Sequence, residues 1–142
     1  MNLSPFLAED IASLPSLQPT DWPDIRPRFE LYLQSSVCFP LKLALEGQIL
    51  AVGTAVIFPG TAWLGHIISH AGHRGKGLGT AMVKGLLNLT TAKGANTISL
   101  LATPLGEPVY QKFGFRVVGE YAFFQQREVL QHRPIDLHIR PF

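Results

Sequence analysis

At 142 residues, with 46% hydrophobic and 15% charged side chains, the chain is long enough to bury a real core, and a single domain over residues 1–142 is expected. A net charge of only +2 with histidines neutral does not argue for nucleic acid, and no apolar run approaches the ~20 residues of a membrane span. The N-terminus lacks the pattern of a signal peptide, and the only cysteine, Cys38, has no partner within the chain, so a soluble cytoplasmic protein is expected, with neither nucleic acid nor membrane as partner.

The first twenty residues carry Pro5, Pro15 and Pro19 among scattered leucines, which predicts an irregular lead-in or a short helical turn. Asp21 then stands as an N-cap before Trp22-Pro23, and Trp22, Ile25, Phe29, Tyr32 and Leu33 follow at helical intervals, predicting a helix from about Trp22 to Gln34. From Leu41 onward the texture changes to short runs of branched residues broken at Glu46-Gly47-Gln48 and Pro59-Gly60. That is an antiparallel meander with strands from Leu41 to Leu45, Ile49 to Phe58 and Ala62 to Ser69. Gly53, inside the second strand, marks a bulge or a close approach. Trp22, Phe29 and Phe58 are read as core, and Cys38 as a small packed residue without chemistry.

Leu78, Met82, Leu86 and Leu89 recur at helical spacing opposite Lys84, Asn88 and Thr91, an amphipathic helix that Gly94 stops. Thr97 to Ala102 follows as a strand, and strand, helix and strand in that order make a right-handed crossover between parallel strands. A short helix with Pro108 in its first turn ends at Gly114, and Phe115 to Phe124 reads as a final long strand. Ile135 to Ile139 alternates as an edge strand would, and the Phe123-Phe124 pair suits a homodimer contact.

Between the third strand and the amphipathic helix lies His73-Arg74-Gly75-Lys76-Gly77-Leu78-Gly79-Thr80-Ala81. Glycines on alternate positions let the backbone approach a ligand and turn successive N–H groups inward, as in phosphate cradles at helix starts. Two familiar nucleotide motifs fail on spacing. In a P-loop the lysine precedes Ser or Thr, whereas Lys76 precedes Gly77, and a dinucleotide fingerprint needs its third glycine later than Gly79.

What remains is Arg74-x-x-Gly77-x-Gly79 between a strand and a helix, followed by Tyr110-Gln111-Lys112-Phe113-Gly114-Phe115. Together these motifs resemble the GNAT superfamily of N-acetyltransferases, over about Leu41 to Tyr121. The resemblance implies an α/β (α+β) fold, a mixed and mainly antiparallel sheet flanked by helices, with one parallel strand pair joined by a crossover helix. The chain departs from the family pattern at Ser69 and Ala71, where Val and Pro are usual, and at His73, where an aromatic is common.

The resemblance further implies acetyl-CoA as cofactor and an amine, expected to be a small molecule, as acceptor by direct attack. The turn of Arg74, Gly75, Lys76, Gly77, Leu78, Gly79 and Thr80 would seat the pyrophosphate, and the pantetheine arm would lie along Ile67, Ile68 and Ser69. A backbone N–H of Ile68 or Ser69 would polarise the thioester carbonyl. Tyr110 would be the general acid, since a phenol of pKa near ~10 keeps its proton at neutral pH. For the base, His66 is preferred over His70, Glu46 and Glu120, with His66 and His70 on one face of their strand by alternation. No metal is expected. The rival is a GNAT-like module that holds acyl-CoA as a sensor or interaction domain without turnover.

Overall fold

The structure, a computed structural model, describes residues 1–122. Five strands form one sheet in chain order: β1 (Asn2–Pro5), β2 (Cys38–Leu45), β3 (Gln48–Phe58), β4 (Thr61–Ser69) and β5 (Thr97–Leu100). The first four run antiparallel and β5 lies parallel to β4. Glu46 and Gly47 join β2 to β3 with φ of 50° and 82°, and Leu45 pairs with Gln48 across this two-residue turn. Both central residues are therefore left-handed, which matches the twist of the hairpin strands.

Two faces of the sheet are covered differently. On one lie a 3-10 segment (Ala8–Ser16) and α1 (Arg26–Gln34), whose Leu14 and Phe29, with the flanking Leu17 and Ile25, pack with Phe6, Ile49, Val52 and Ile68. Phe6 and Phe29 are fully buried with ring centroids 4.9 Å apart. On the other face α2 (Leu78–Ala92) sets Leu78, Met82 and Leu86 against Leu43, Ala51, Ala55 and Leu64. Gly53 lies under this helix, and a Cβ there would come within 2.9 Å of Met82 Cγ and 3.0 Å of Leu86 Cδ1. The expected close approach is present. Helix α2 ends as predicted: Gly94 adopts φ 82°, with Ala95 N–H donating to Thr90 O and Gly94 N–H to Thr91 O, a Schellman closure.

Four expectations need correction. The lead-in supplies a strand, β1, as well as the 3-10 segment, because Pro5 sits at the end of an edge strand where its missing N–H is tolerated. That segment is tied down by Asp10, which accepts from Leu7 N–H at 2.7 Å and from Lys42 Nζ of β2 at 2.6 and 2.7 Å. Helix α1 starts at Arg26 and not Trp22, since a helix begun at Trp22 would put Pro27 in its interior against the carbonyl of Pro23. Before it, Gln18 accepts from Ile25 N–H at 3.1 Å and Asp24 from Arg26 N–H at 3.0 Å.

Strand β5 stops at Leu100, where its pairing with β4 ends. Residues 115–122 form no strand. Apolar patterning describes side chains, but a strand exists only beside a hydrogen-bonded neighbour, and among the described residues none pairs with this stretch. Phe123, Phe124 and the segment from Ile135 to Ile139 lie outside the described residues. Among the described residues no helix is long and apolar enough to cross a membrane.

Candidate active site

The site begins with an irregularity in β4. Thr54 pairs with Gly65 and Val52 with Ile68, so His66 and Ile67 together oppose the single residue Gly53. His66 takes the left-handed φ of 48°, a conformation that is costly by about 1–2 kcal/mol for a residue with a Cβ. The bulge exchanges faces. Ala62 and Leu64 point toward α2, and strict alternation would send His66 after them; instead Ile67 packs on the α2 side, while His66 and Ile68 face α1.

There His66 meets an aromatic wall. Its Nδ1 is 2.9 Å from the hydroxyl of Tyr32, and its ring lies edge-on to Trp22, Phe29 and Tyr32 at 6.3, 5.9 and 5.5 Å. Burial, reinforced by the positive charge of Arg28, pushes the His66 pKa down, so its imidazole is neutral at pH 7. His70 does not join it. Its Nδ1 accepts from Gly72 N–H at 3.2 Å and its ring meets His73 at 5.1 Å, both in the following turn. Glu46 is exposed in the β2–β3 turn and Glu120 is exposed near the end of the described residues.

The bulge also ends the pairing of β4 with β5, which runs only from Thr61–Thr97 to Leu64–Leu100. From Gly65 to Ser69 the edge of β4 on that side has no strand partner among the described residues. His70 N–H donates to Leu50 O on β3 at 2.8 Å, so by alternation Ile68 also faces β3, whereas Ile67 and Ser69 turn their N–H and C=O groups to the open edge. Of the two backbone donors expected from the sequence, Ile68 is therefore already engaged within the sheet.

The open edge runs into the glycine turn. Gly75 and Gly77 take φ of 76° and 78°, and a Cβ on either would meet nothing within 4 Å, so the turn is open to solvent. Gly77 is the N-cap of α2, and no side chain of the described residues caps the helix, which leaves its first N–H groups and the positive end of its dipole facing outward. Leu78 is buried and contributes its backbone alone to the turn. Arg74 and Lys76 are exposed and pair with no acid among the described residues. An uncapped helix start with two left-handed glycines and two cations fits a pyrophosphate.

Tyr110 comes from α3 (Glu107–Gln111), which packs against α2 and so stands on the opposite face from His66. Its ring is buried, edge-on to Phe115 at 6.1 Å. Gly106 makes room for it, since a Cβ there would lie 3.1 Å from Tyr110 Cε2 and 3.4 Å from its hydroxyl. Burial pushes the phenol pKa up, and it forms no hydrogen bond with a described residue.

Sequence reasoning missed the Tyr32 hydroxyl, whose helical spacing marked it only as an apolar position. Of the residues read as core, Phe29 is fully buried, Trp22 is half-buried beside His66, and Phe58 is 54% exposed. Among the described residues no group of three His, Cys, Asp or Glu side chains is placed to hold a metal ion.

Comparison with known proteins gives the same frame. The chain is similar in structure to an acetyltransferase of Trypanosoma brucei, with 18% identity and a TM-score of 0.72 over 88% of this chain and 99% of that one. It is similar to a predicted acetyltransferase of Clostridium acetobutylicum with acetyl-CoA, at 23% identity and a TM-score of 0.69 over 87% and 95% of the two chains. A third similar structure is AAC(6′)-Iy in complex with the bisubstrate analogue CoA-S-monomethyl-acetylneamine, at 17% identity and a TM-score of 0.71 over 89% and 97%. No curated protein sequence matches the chain. Residues 7–115 match the sequence model of the acetyltransferase (GNAT) family, and with the sheet, crossover helix and glycine turn described above, the chain belongs to that family.

Proposed function

We propose that the protein is an acetyl-CoA-dependent N-acetyltransferase that moves an acetyl group to the primary amine of a small molecule by direct attack. One observation carries this reading: the half of β4 that β5 leaves unpaired leads straight into the uncapped start of α2, so a strand-like edge and an anion seat lie end to end. A ligand with an extended amide-bearing arm and a pyrophosphate matches both.

When bound, acetyl-CoA supplies the acyl group as a thioester. The N–H groups from Gly75 to Thr80 and the charges of Arg74 and Lys76 hold its pyrophosphate. Ile67 and Ser69 would pair with the pantetheine arm, and since Ile68 is engaged with β3, the N–H of Ser69, its alternative, would donate to the thioester carbonyl. Tyr110, kept protonated by burial, donates its proton to the departing thiolate. On the other face, His66, kept neutral by burial, accepts the proton of the amine directly or through water. An alkyl amine of pKa ~10.4 is neutral in only about one molecule in a few thousand at pH 7, so proton removal is a substantial part of the task.

Calorimetric titration with acetyl-CoA, followed by a screen of small amines for CoA release, tests this reading. Binding with amine-dependent release is expected. Binding without release for any amine would make the chain an acyl-CoA-binding module, and folded protein that binds no acetyl-CoA would sink both readings.

A further inference from the structure

Arg28 lies one helical turn before Tyr32, and residues four apart on a helix share a face with Cβ atoms about 6 Å apart. Tyr32 in turn touches His66 at 2.9 Å, so Arg28 shares the face of α1 that carries Tyr32 to His66, and its positive charge acts on both groups. It is exposed and pairs with no carboxylate among the described residues. Arg26, on the adjoining side of α1, is held by Asp24 at 2.7 Å. The acids near α1 gather there too: Glu9, Asp24 and Glu30 share with Arg26 a hollow of about 510 Å3.

On the His66 side, by contrast, no carboxylate among the described residues acts on His66 or Tyr32: Arg28 adds to burial in lowering the His66 pKa, and it opposes the rise that burial and then Cys38 impose on Tyr32. A plain alkylammonium is repelled from such a wall. An amine that carries its own oxyanion is attracted, because a guanidinium fork takes a carboxylate or phosphate through two parallel hydrogen bonds. The same positive field favours the neutral, attacking form of the amine.

We propose that the acceptor is a small amine bearing a carboxylate or phosphate near the reacting nitrogen, and that Arg28 binds that anion; this rests on the transferase reading above. The two anion sources are separated by matched pairs, alanine against ethylamine and 2-aminoethyl phosphate against 2-aminoethanol, compared by kcat/KM. The anionic member of at least one pair is expected to be preferred about tenfold or more, and that pair identifies the anion. Arg28→Gln should reduce this preference about tenfold, Arg28→Lys less, and Arg26→Gln should leave it unchanged. Equal use of both members, or an equal fall in the Arg26→Gln protein, overturns the assignment. Transfer to neutral amines alone overturns this inference and leaves the transferase reading standing. No transfer to any amine, by protein that binds acetyl-CoA, overturns both.

Discussion

Tyr32 on α1 and His66 on β4, 34 residues apart in the chain, meet at 2.9 Å between the phenol oxygen and Nδ1. The contact exists because the bulge turns His66 away from the α2 face, and it leaves the imidazole half-buried among aromatic rings. A neutral histidine in that setting resists protonation, with consequences for both stability and rate.

The folded-state pKa of His66 is below its unfolded value, so the unfolded chain binds the proton more readily. The stability this group contributes is complete above the unfolded pKa of about 6.5 and is lost as pH falls through the lower folded value. Urea midpoints measured from pH 7.5 down to 5 should therefore decline, and His66→Gln should flatten the decline. If His66 is the base, the same substitution should lower kcat/KM by about a hundredfold and remove the acid limb of its pH profile; an unchanged limb would assign that limb to another group.

Replacing Tyr110 by Phe removes the hydroxyl and keeps the ring that packs on Phe115. We expect kcat to fall by about a hundredfold or more while the Kd for acetyl-CoA changes less than twofold. In the wild-type protein the raised phenol pKa puts the alkaline limb of kcat above pH ~10. A variant with undiminished kcat would remove Tyr110 from the chemistry.

Two glycines of the turn should respond differently to alanine. At Gly77 the φ of 78° makes any side chain strained although no atom stands in its way, so Gly77→Ala should lower stability by about 1 kcal/mol as well as acetyl-CoA affinity. Gly79 has no such φ, and its added Cβ would make an ordinary 3.9 Å contact with Ser69 Oγ. Gly79→Ala, within α2 and with a helical φ, should therefore keep or raise the urea midpoint and change acetyl-CoA affinity less than Gly77→Ala does; calorimetry beside urea titration separates the two effects.

Thr54 is 1% exposed and its hydroxyl has no hydrogen-bond partner among the described residues. An unsatisfied buried hydroxyl is destabilising, and valine has nearly the same shape, so Thr54→Val should raise stability by about 1 kcal/mol. For a domain of this size that corresponds to a Tm higher by about 4 °C in a thermal melt. A lower Tm would reveal a water bound to the hydroxyl in solution.

The glycine turn, the amphipathic helix with its Gly94 stop, the hairpin turns and the Tyr110 helix were all legible from residue order. Each is set by contacts within a few positions: left-handed glycines, helical periodicity, and prolines in first turns. Where local signals competed they misled, as when Asp21 marked a helix start that Pro27 forbids. Side-chain patterning alone also promised a strand from Phe115 that no described neighbour pairs with.

The arrangement of the candidate site depended on contacts between distant segments. Whether His66 faces α1 or α2 turns on one extra residue in β4 opposite Gly53, and a shift of one residue exchanges the faces of everything after it. That same bulge decides that Ile68 is engaged with β3, that Ser69 and Ile67 are open, and that Tyr32 stands beside His66. Periodicity gives the direction of a side chain only while the register is unbroken, and the break in register belongs to the assembled sheet.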